Sequence, residues 1–109
     1  MATTYKVLGQ ISSSANTLLT LYTVPTTAAI VSSITVANRN STTTAGFTIS
    51  VAKGGAAASN SQYLYYDVKI GQNDTFIATV GLTLEAGDVI RVLSVPGILT
   101  FQAFGSEIS

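Results

Sequence analysis

The side chains of this chain that could perform chemistry are five acids and many hydroxyls. The acids are Asp67, Asp74, Glu85, Asp88 and Glu107. A glycoside hydrolase would need two such carboxylates on either side of a sugar cleft, whereas three of these acids fall in or beside predicted turns. We expect Asp74 and Asp88 to bind turn backbone. A calcium site that uses Asn73 and Asp74 is the alternative, although the EF-hand spacing is absent.

Nucleophilic catalysis has no suitable base in this sequence. There are 12 Ser and 16 Thr residues but no His and no Cys. A serine nucleophile would need a lysine as its base, and of Lys6, Lys53 and Lys69 only Lys53 has the Ser-x-x-Lys spacing, with Ser50 inside a predicted strand. Gly54 and Gly55 precede three alanines rather than the GK[ST] of a phosphate loop. We therefore expect no enzymatic activity, no cofactor and no metal ion.

Composition narrows the role further. Charged residues make up 9% of the 109 residues and the formal net charge is zero, which excludes the basic stripe of a nucleic-acid-binding protein. No apolar stretch approaches the roughly 18 residues of a membrane helix, and residues 1–7 show no secretory signal pattern. A chain with so few charges has little electrostatic protection against association. We expect it to hide much of its surface in an assembly.

Alternation of apolar and polar residues predicts β-strands throughout. The predicted strands span residues 4–8, 17–24, 30–37, 46–53, 62–70, 75–84, 88–95 and 98–104. In the third strand, Ile30, Ile34 and Val36 are expected to share one face. The residues expected in the core are Phe47, Ile49, Val51, Leu64, Tyr66, Val68, Phe76, Val80 and Leu82.

Turn-forming residues separate these strands. Segments rich in Ser, Gly, Asn and Pro occupy residues 12–14, 25–27, 38–40, 54–55, 71–74, 86–88 and 96–97. Short strands at intervals of roughly 8–12 residues, with no helical segment, are typical of an all-β fold. The sequence predicts one domain over residues 1–109, an antiparallel β-sandwich that is jelly-roll-like, with a small barrel as the alternative.

Three predicted strands, residues 17–24, 88–95 and 98–104, are apolar on both faces. One face of a sandwich strand normally meets water, so the extra apolar surface is covered either by a loop or sheet edge of the same chain or by another subunit. The low charge favours a subunit interface. Its candidate residues in these strands are Leu19, Leu21, Val89 and Leu93.

Tyrosines are concentrated at residues 63–66. A period of two sends Tyr66 inward and places Tyr63 and Tyr65 on the opposite face. Exposed tyrosines are good interface anchors, although strand propensity alone or stacking on carbohydrate would also account for them. Tyr63 and Tyr65 complete the predicted interface.

Five segments across nearly the whole chain carry a resemblance. They are residues 1–10 (MATTYKVLGQ), 21–25 (LYTVP), 66–68 (YDV), 73–75 (NDT) and 104–109 (FGSEIS). Together they resemble small virion structural proteins of tailed bacteriophages, particularly of phages that infect cyanobacteria and other aquatic bacteria. LYTVP and FGSEI are the most specific parts. The resemblance implies no catalytic or ligand-binding residue.

The resemblance implies a place in a virion that is assembled in the cytoplasm of a host bacterium. A compact β-domain without chemistry fits a capsid cement or decoration protein, which clamps neighbouring subunits of the capsid shell. The expected partners are the major capsid protein or other virion proteins, and further copies of the chain, with a homotrimer favoured. A tail, neck or baseplate component and a host-surface-binding module are the alternatives. No nucleic acid or membrane is expected among the partners.

Overall fold

The computed structural model describes residues 2–14, 16–25 and 27–108, which form an all-β structure. Its strands are β1 (Thr3–Ser12), β2 (Leu19–Thr23), β3 (Ala28–Asn38), β4 (Ala45–Ala52), β5 (Tyr63–Ile70), β6 (Thr75–Glu85), β7 (Val89–Val95) and β8 (Leu99–Ile108). The only helical turns in these ranges are two 3₁₀ turns, Lys53–Gly55 and Asn60–Gln62. All eight predicted strands are confirmed, and β1 and β8 run further than predicted. No helix in the described ranges is long and apolar enough to span a bilayer.

The strands form two antiparallel four-stranded sheets. The first sheet has the order β1-β8-β3-β6 and the second has the order β2-β7-β4-β5. The first strand therefore pairs with the last, the second with the seventh, the third with the sixth and the fourth with the fifth. This nested pairing is the jelly-roll arrangement, which confirms the predicted sandwich.

The hydrophobic core lies between the two sheets. Phe47 and Ile49 of β4 are fully buried, as are Phe101 of β8 and Ile34 of β3. The Phe76 ring packs on Phe47 at a centroid distance of 5.1 Å. Of the predicted core, Phe47 and Ile49 are confirmed as buried, and five more residues pack against this cluster at partial exposure: Val51, Val68, Phe76, Val80 and Leu82.

Strand β5 contains an extra residue that the alternation pattern did not reveal. Phe47 pairs with Val68 and Ile49 pairs with Tyr65, so Thr48 lies opposite two residues of β5. One of the two, Asp67, has a φ of 50°, and its amide donates to Thr48 Oγ1 at 3.1 Å. This is a β-bulge, and an inserted residue exchanges the two faces of a strand.

The bulge reverses the predicted orientation of the tyrosines. Tyr65 packs inward against Phe47, whereas Tyr66 is 68% exposed. A second register shift, between Ile49 and Ser50, leaves Leu64 without a partner in the ladder and exposed. The placement of Leu64 and Tyr66 in the core, and of Tyr65 on the outer face, was therefore wrong.

A similar bulge occurs in β3. Its register shifts between Val31 and Ser33 against both neighbouring strands, which places Ile30 on the outer face while Ile34 and Val36 are buried. The expectation that these three residues share a face was wrong, because the extra residue at Ser32 separates them.

Candidate interaction surfaces

The acids in turns bind backbone amides. Asp74 accepts the Thr75 N–H at 2.8 Å. The buried Asp88 accepts the amides of Gly54 at 2.8 Å and Glu85 at 2.9 Å. These amide donors, Gly54 first, lower the pKa of Asp88. The expected role of Asp74 and Asp88 in turn backbone is confirmed.

Glu107 of β8 connects the two sheets. Its carboxylate pairs with Lys6 Nζ of β1 at 2.7 Å and accepts the Tyr22 hydroxyl of β2 at 2.5 Å. Lys6 and then Tyr22 lower the pKa of Glu107. Burial, followed by the bond to Glu107, raises the pKa of Tyr22 above the usual range of a phenol. Because the carboxylate stays ionised and the phenol stays protonated, the hydrogen bond between them is maintained and links the two sheets.

The remaining acids form exposed ion pairs. Glu85 pairs with Lys53 at 2.7 Å and Asp67 with Lys69 at 3.0 Å. Within the described ranges, no three His, Cys, Asp or Glu side chains converge on a point that could hold a metal ion. All five acids thus have structural contacts. The candidate functional sites are therefore the outer surfaces of the sandwich.

The outer face of the first sheet carries exposed apolar side chains. Tyr5 and Val7 of β1 are 83% and 48% exposed, Ile30 of β3 is 40% exposed and Ile77 of β6 is 62% exposed. Tyr5 pairs with Ser106, which pairs in turn with Ile30, so Tyr5 and Ile30 stand in one row across three strands. We call this surface the first-sheet face. An open hollow of about 470 Å³ lies between Tyr5 and Ile30.

The outer face of the second sheet contains a smaller cleft of about 260 Å³. Its lining residues are Gly46, Thr48, Tyr66, Asp67, Lys69, Leu93 and Val95. The Tyr66 ring leans on Tyr63 at a centroid distance of 4.8 Å. A side chain at Gly46 would overlap the Asp67 carboxylate, so the glycine lets the Asp67–Lys69 pair lie close over β4. We call this surface the tyrosine cleft.

The chain itself covers the rest of that outer face. Residues 53–62 fold back over β7, where the Arg91 guanidinium donates to the carbonyls of Ala56 at 2.8 Å and Gly55 at 3.2 Å. Val89 lies beneath Gly55 and is buried. For Val89, the extra apolar face of β7 is therefore covered by a loop of the same chain.

The structure divides the six predicted interface residues. Tyr63 is exposed and Leu93 is a partly exposed residue of the tyrosine cleft. Leu21 and Val89 are buried, and Leu19 and Tyr65 pack against the core. Of the six, Leu93 therefore lines the tyrosine cleft and Tyr63 contacts the Tyr66 ring of that cleft.

The first-sheet face was missed at the level of sequence. The sequence did indicate that Ile77 is an exposed apolar residue, because it lies among the outward threonines of a strand whose inner face is already apolar. No sequence pattern indicated that Tyr5 and Ile30 lie on one face, since this depends on the pairing of β1 and β3 with β8.

The fold and its surfaces define an eight-stranded jelly roll with two exposed apolar outer surfaces. No protein-family model matches the chain, and no curated protein matches it. Among solved structures, it is similar to a chain in the crystal structure of the T13 IBDV viral particle, with a TM-score of 0.56 and 11% sequence identity. The similarity covers 95% of this chain and 30% of that chain. At this identity the likeness concerns the fold, and this chain corresponds in length to less than a third of its neighbour.

Proposed function

We propose that this chain is a non-enzymatic structural protein of a bacteriophage virion, and specifically a capsid cement or decoration protein that binds and stabilises the major capsid shell. The observation that carries the proposal is the presence of exposed apolar surfaces on both outer faces of a two-layered sandwich. A cement protein must hold two neighbours at once, and opposite faces allow this. Monomeric soluble proteins rarely expose large apolar patches.

The contacts of the acids support the absence of enzymatic activity. Asp88 and Glu107 are buried and fully engaged, and Glu85, Asp67 and Asp74 bind a lysine or a turn amide. A pair of carboxylates facing a common cleft, which glycoside hydrolysis would need, does not occur in the described ranges. Substitution of a single acid should alter stability or assembly and no catalysis.

The fold supports a place in a particle. Jelly rolls recur in viral capsid domains, and the neighbour of known structure comes from a viral particle. The partners we propose are the major capsid protein or other virion proteins, together with further copies of this chain, in a virion assembled in the bacterial cytoplasm.

Copy number tests this proposal directly. Purified virions would be digested and the peptides of this chain quantified against those of the major capsid protein. A shell-bound cement protein follows the icosahedral lattice, so on the order of hundreds of copies are expected. A ring of about six or twelve copies would overturn the cement role in favour of a tail, neck or baseplate component. Absence from the virion would overturn both.

A binding experiment tests which surface meets the shell. Heads that lack the protein would be mixed with wild-type chain and with Tyr66→Lys, and bound protein would be separated by sedimentation. Tyr66 lies on the tyrosine cleft and is exposed, so its replacement should leave the fold intact. Weakened binding would support the cleft as the shell contact, whereas unchanged binding would assign the shell contact to another surface.

A further inference from the structure

The first-sheet face is almost free of charge. Its outward positions on β1, β8, β3 and β6 hold Thr, Ser, Gln, Gly and Ala, the apolar residues already described, and Phe104 and Ile108 of β8. Two charged side chains lie at this described surface, and both are paired: Glu85, at the last residue of β6, pairs with Lys53, and Lys6, which lines the hollow with its side chain 45% exposed, pairs with Glu107. At the other end of the face, Gln10 donates to Gln102 at 2.9 Å. Burial of this surface in an interface therefore leaves no charged side chain without a partner.

The outer face of the second sheet differs in this respect. The Asp67–Lys69 pair stands over its cleft and Arg91 holds residues 53–62 across its other half. A partner that covered this side would have to desolvate these charges. The two surfaces are thus suited to partners of different chemistry, and the first-sheet face requires an uncharged one.

The area of the first-sheet face is sufficient for an interface. Four strands about 4.8 Å apart, each of about ten residues at 3.3 Å per residue, present roughly 600 Å² per copy. Two such faces in contact bury roughly 1,200 Å², which is above the approximately 1,000 Å² needed for a specific interface. A second copy of this chain offers a face of the same size on which every charge is already paired.

We propose that the first-sheet face is the contact between two copies of the chain, which pack face to face about a two-fold axis. A surface that binds itself is self-complementary under a two-fold rotation. The apolar residues Tyr5, Val7, Ile30 and Ile77 provide the buried area, and the threonines between them lie at the pleated contact of two stacked sheets. This inference deepens the proposed function and rests on its claim that copies of the chain associate. It leaves the tyrosine cleft of each copy free for the shell.

Sedimentation velocity on the purified chain tests the contact without any virion. The wild type is expected to be a dimer at high micromolar concentration. Ile77→Lys places a charge at an exposed position of the face, where the contact would bury it without a partner, so the dissociation constant should rise on the order of 100-fold. Tyr5→Lys should act in the same direction. Far-UV circular dichroism checks that both variants keep the strand spectrum.

Tyr66→Lys is the matched control. It adds the same charge at a position of similar exposure, 68% against 62% for Ile77, but on the opposite side of the sandwich, and it should leave the dimer intact. Since each charge at this face is paired within its own copy and the contact forms no ion pair between the copies, dimerisation should change little between about 0.05 M and 0.5 M salt.

A monomeric wild type would overturn the inference, as would a dimer that survives both Tyr5→Lys and Ile77→Lys or one that Tyr66→Lys disrupts. A trimer, the oligomer expected from the sequence, would also overturn it, because a face that packs on its own copy closes with two chains. Sedimentation and copy number test the two proposals separately. A dimer that is absent from the virion would contradict the proposed function but not this inference. A monomer present in hundreds of copies per virion would contradict this inference but not the proposed function.

Discussion

Tyr22 and Glu107 join the two sheets of the sandwich through a 2.5 Å hydrogen bond between a phenol and a carboxylate. The residues are 85 positions apart in sequence, and both are buried. Lys6 completes the contact from the neighbouring strand. Buried polar groups of this kind are costly unless every partner is present.

Tyr22→Phe should destabilise the protein by about 1–2 kcal/mol, because the carboxylate of Glu107 loses one of its two donors while the ring still fills its place. The free energy of unfolding in urea measures this. Tyr66→Phe is the control, since it also removes a phenolic hydroxyl but at an exposed position, and it should stay within about 0.5 kcal/mol of the wild type. Equal stability of Tyr22→Phe and the wild type would show that the bond contributes nothing.

Acid should weaken the fold through Glu107 and Asp88. Both groups have a lowered pKa in the folded chain, so the unfolded chain binds protons first as pH falls. Their contribution to stability is complete above the ordinary carboxyl pKa of about 4, and it is lost as pH falls through the lower folded values. Urea midpoints measured at a series of pH values should therefore drop below about pH 4. Asp88→Asn should flatten part of that drop, and an unchanged slope would contradict the role of Asp88.

Alkali should weaken the fold through Tyr22. Its folded pKa is raised by burial and by the bond to Glu107, so the unfolded phenol ionises first as pH rises. The contribution of Tyr22 is complete below the ordinary phenol pKa of about 10 and is lost above it. Absorbance of tyrosinate near its ultraviolet maximum would follow the titration. One tyrosine should resist ionisation until the protein unfolds, and Tyr22→Phe should abolish that late phase.

Gly9→Ala should destabilise the protein by about 1–3 kcal/mol, since overpacking forces backbone to move. A methyl group at Gly9 would overlap the carbonyl oxygen of Leu21, a backbone atom of β2 in the facing sheet. Gly71→Ala is the matched control, because open space surrounds Gly71. Thermal unfolding compares the two, and equal melting temperatures would mean that β1 and β2 separate at little cost.

The strands and the sandwich could be predicted because period-two patterning and turn residues are local signals. The direction of individual side chains could not, wherever a bulge inserts a residue: Ser32 turned Ile30 outward, and the bulge at Asp67 turned Tyr66 outward and Tyr65 inward. No local pattern marks these insertions, since the register depends on the partner strand.

Only some residues of the predicted interface are exposed, for a similar reason. Tyr63 and Leu93 are on an open surface. Leu21 is instead part of the core, and Val89 is covered because Arg91 holds residues that are 35 and 36 positions away in sequence over β7. The alternation of apolar and polar residues does not predict such long-range contacts. A single substitution can, however, test them.

Arg91→Met should release residues 53–62 from the second sheet. The substitution keeps an apolar stem over the strand but removes both donors to the carbonyls of Ala56 and Gly55. Loss of these charge-assisted bonds should increase the amide exchange rate of this segment about 10-fold, by local opening rather than global unfolding. Hydrogen exchange detected by mass spectrometry measures it, with Arg39→Met as a control in the β3–β4 loop at the opposite end of the sandwich. Faster exchange accompanied by new self-association would identify Val89 as an apolar surface that this segment keeps covered, and unchanged exchange would show that Arg91 does not hold the segment in place.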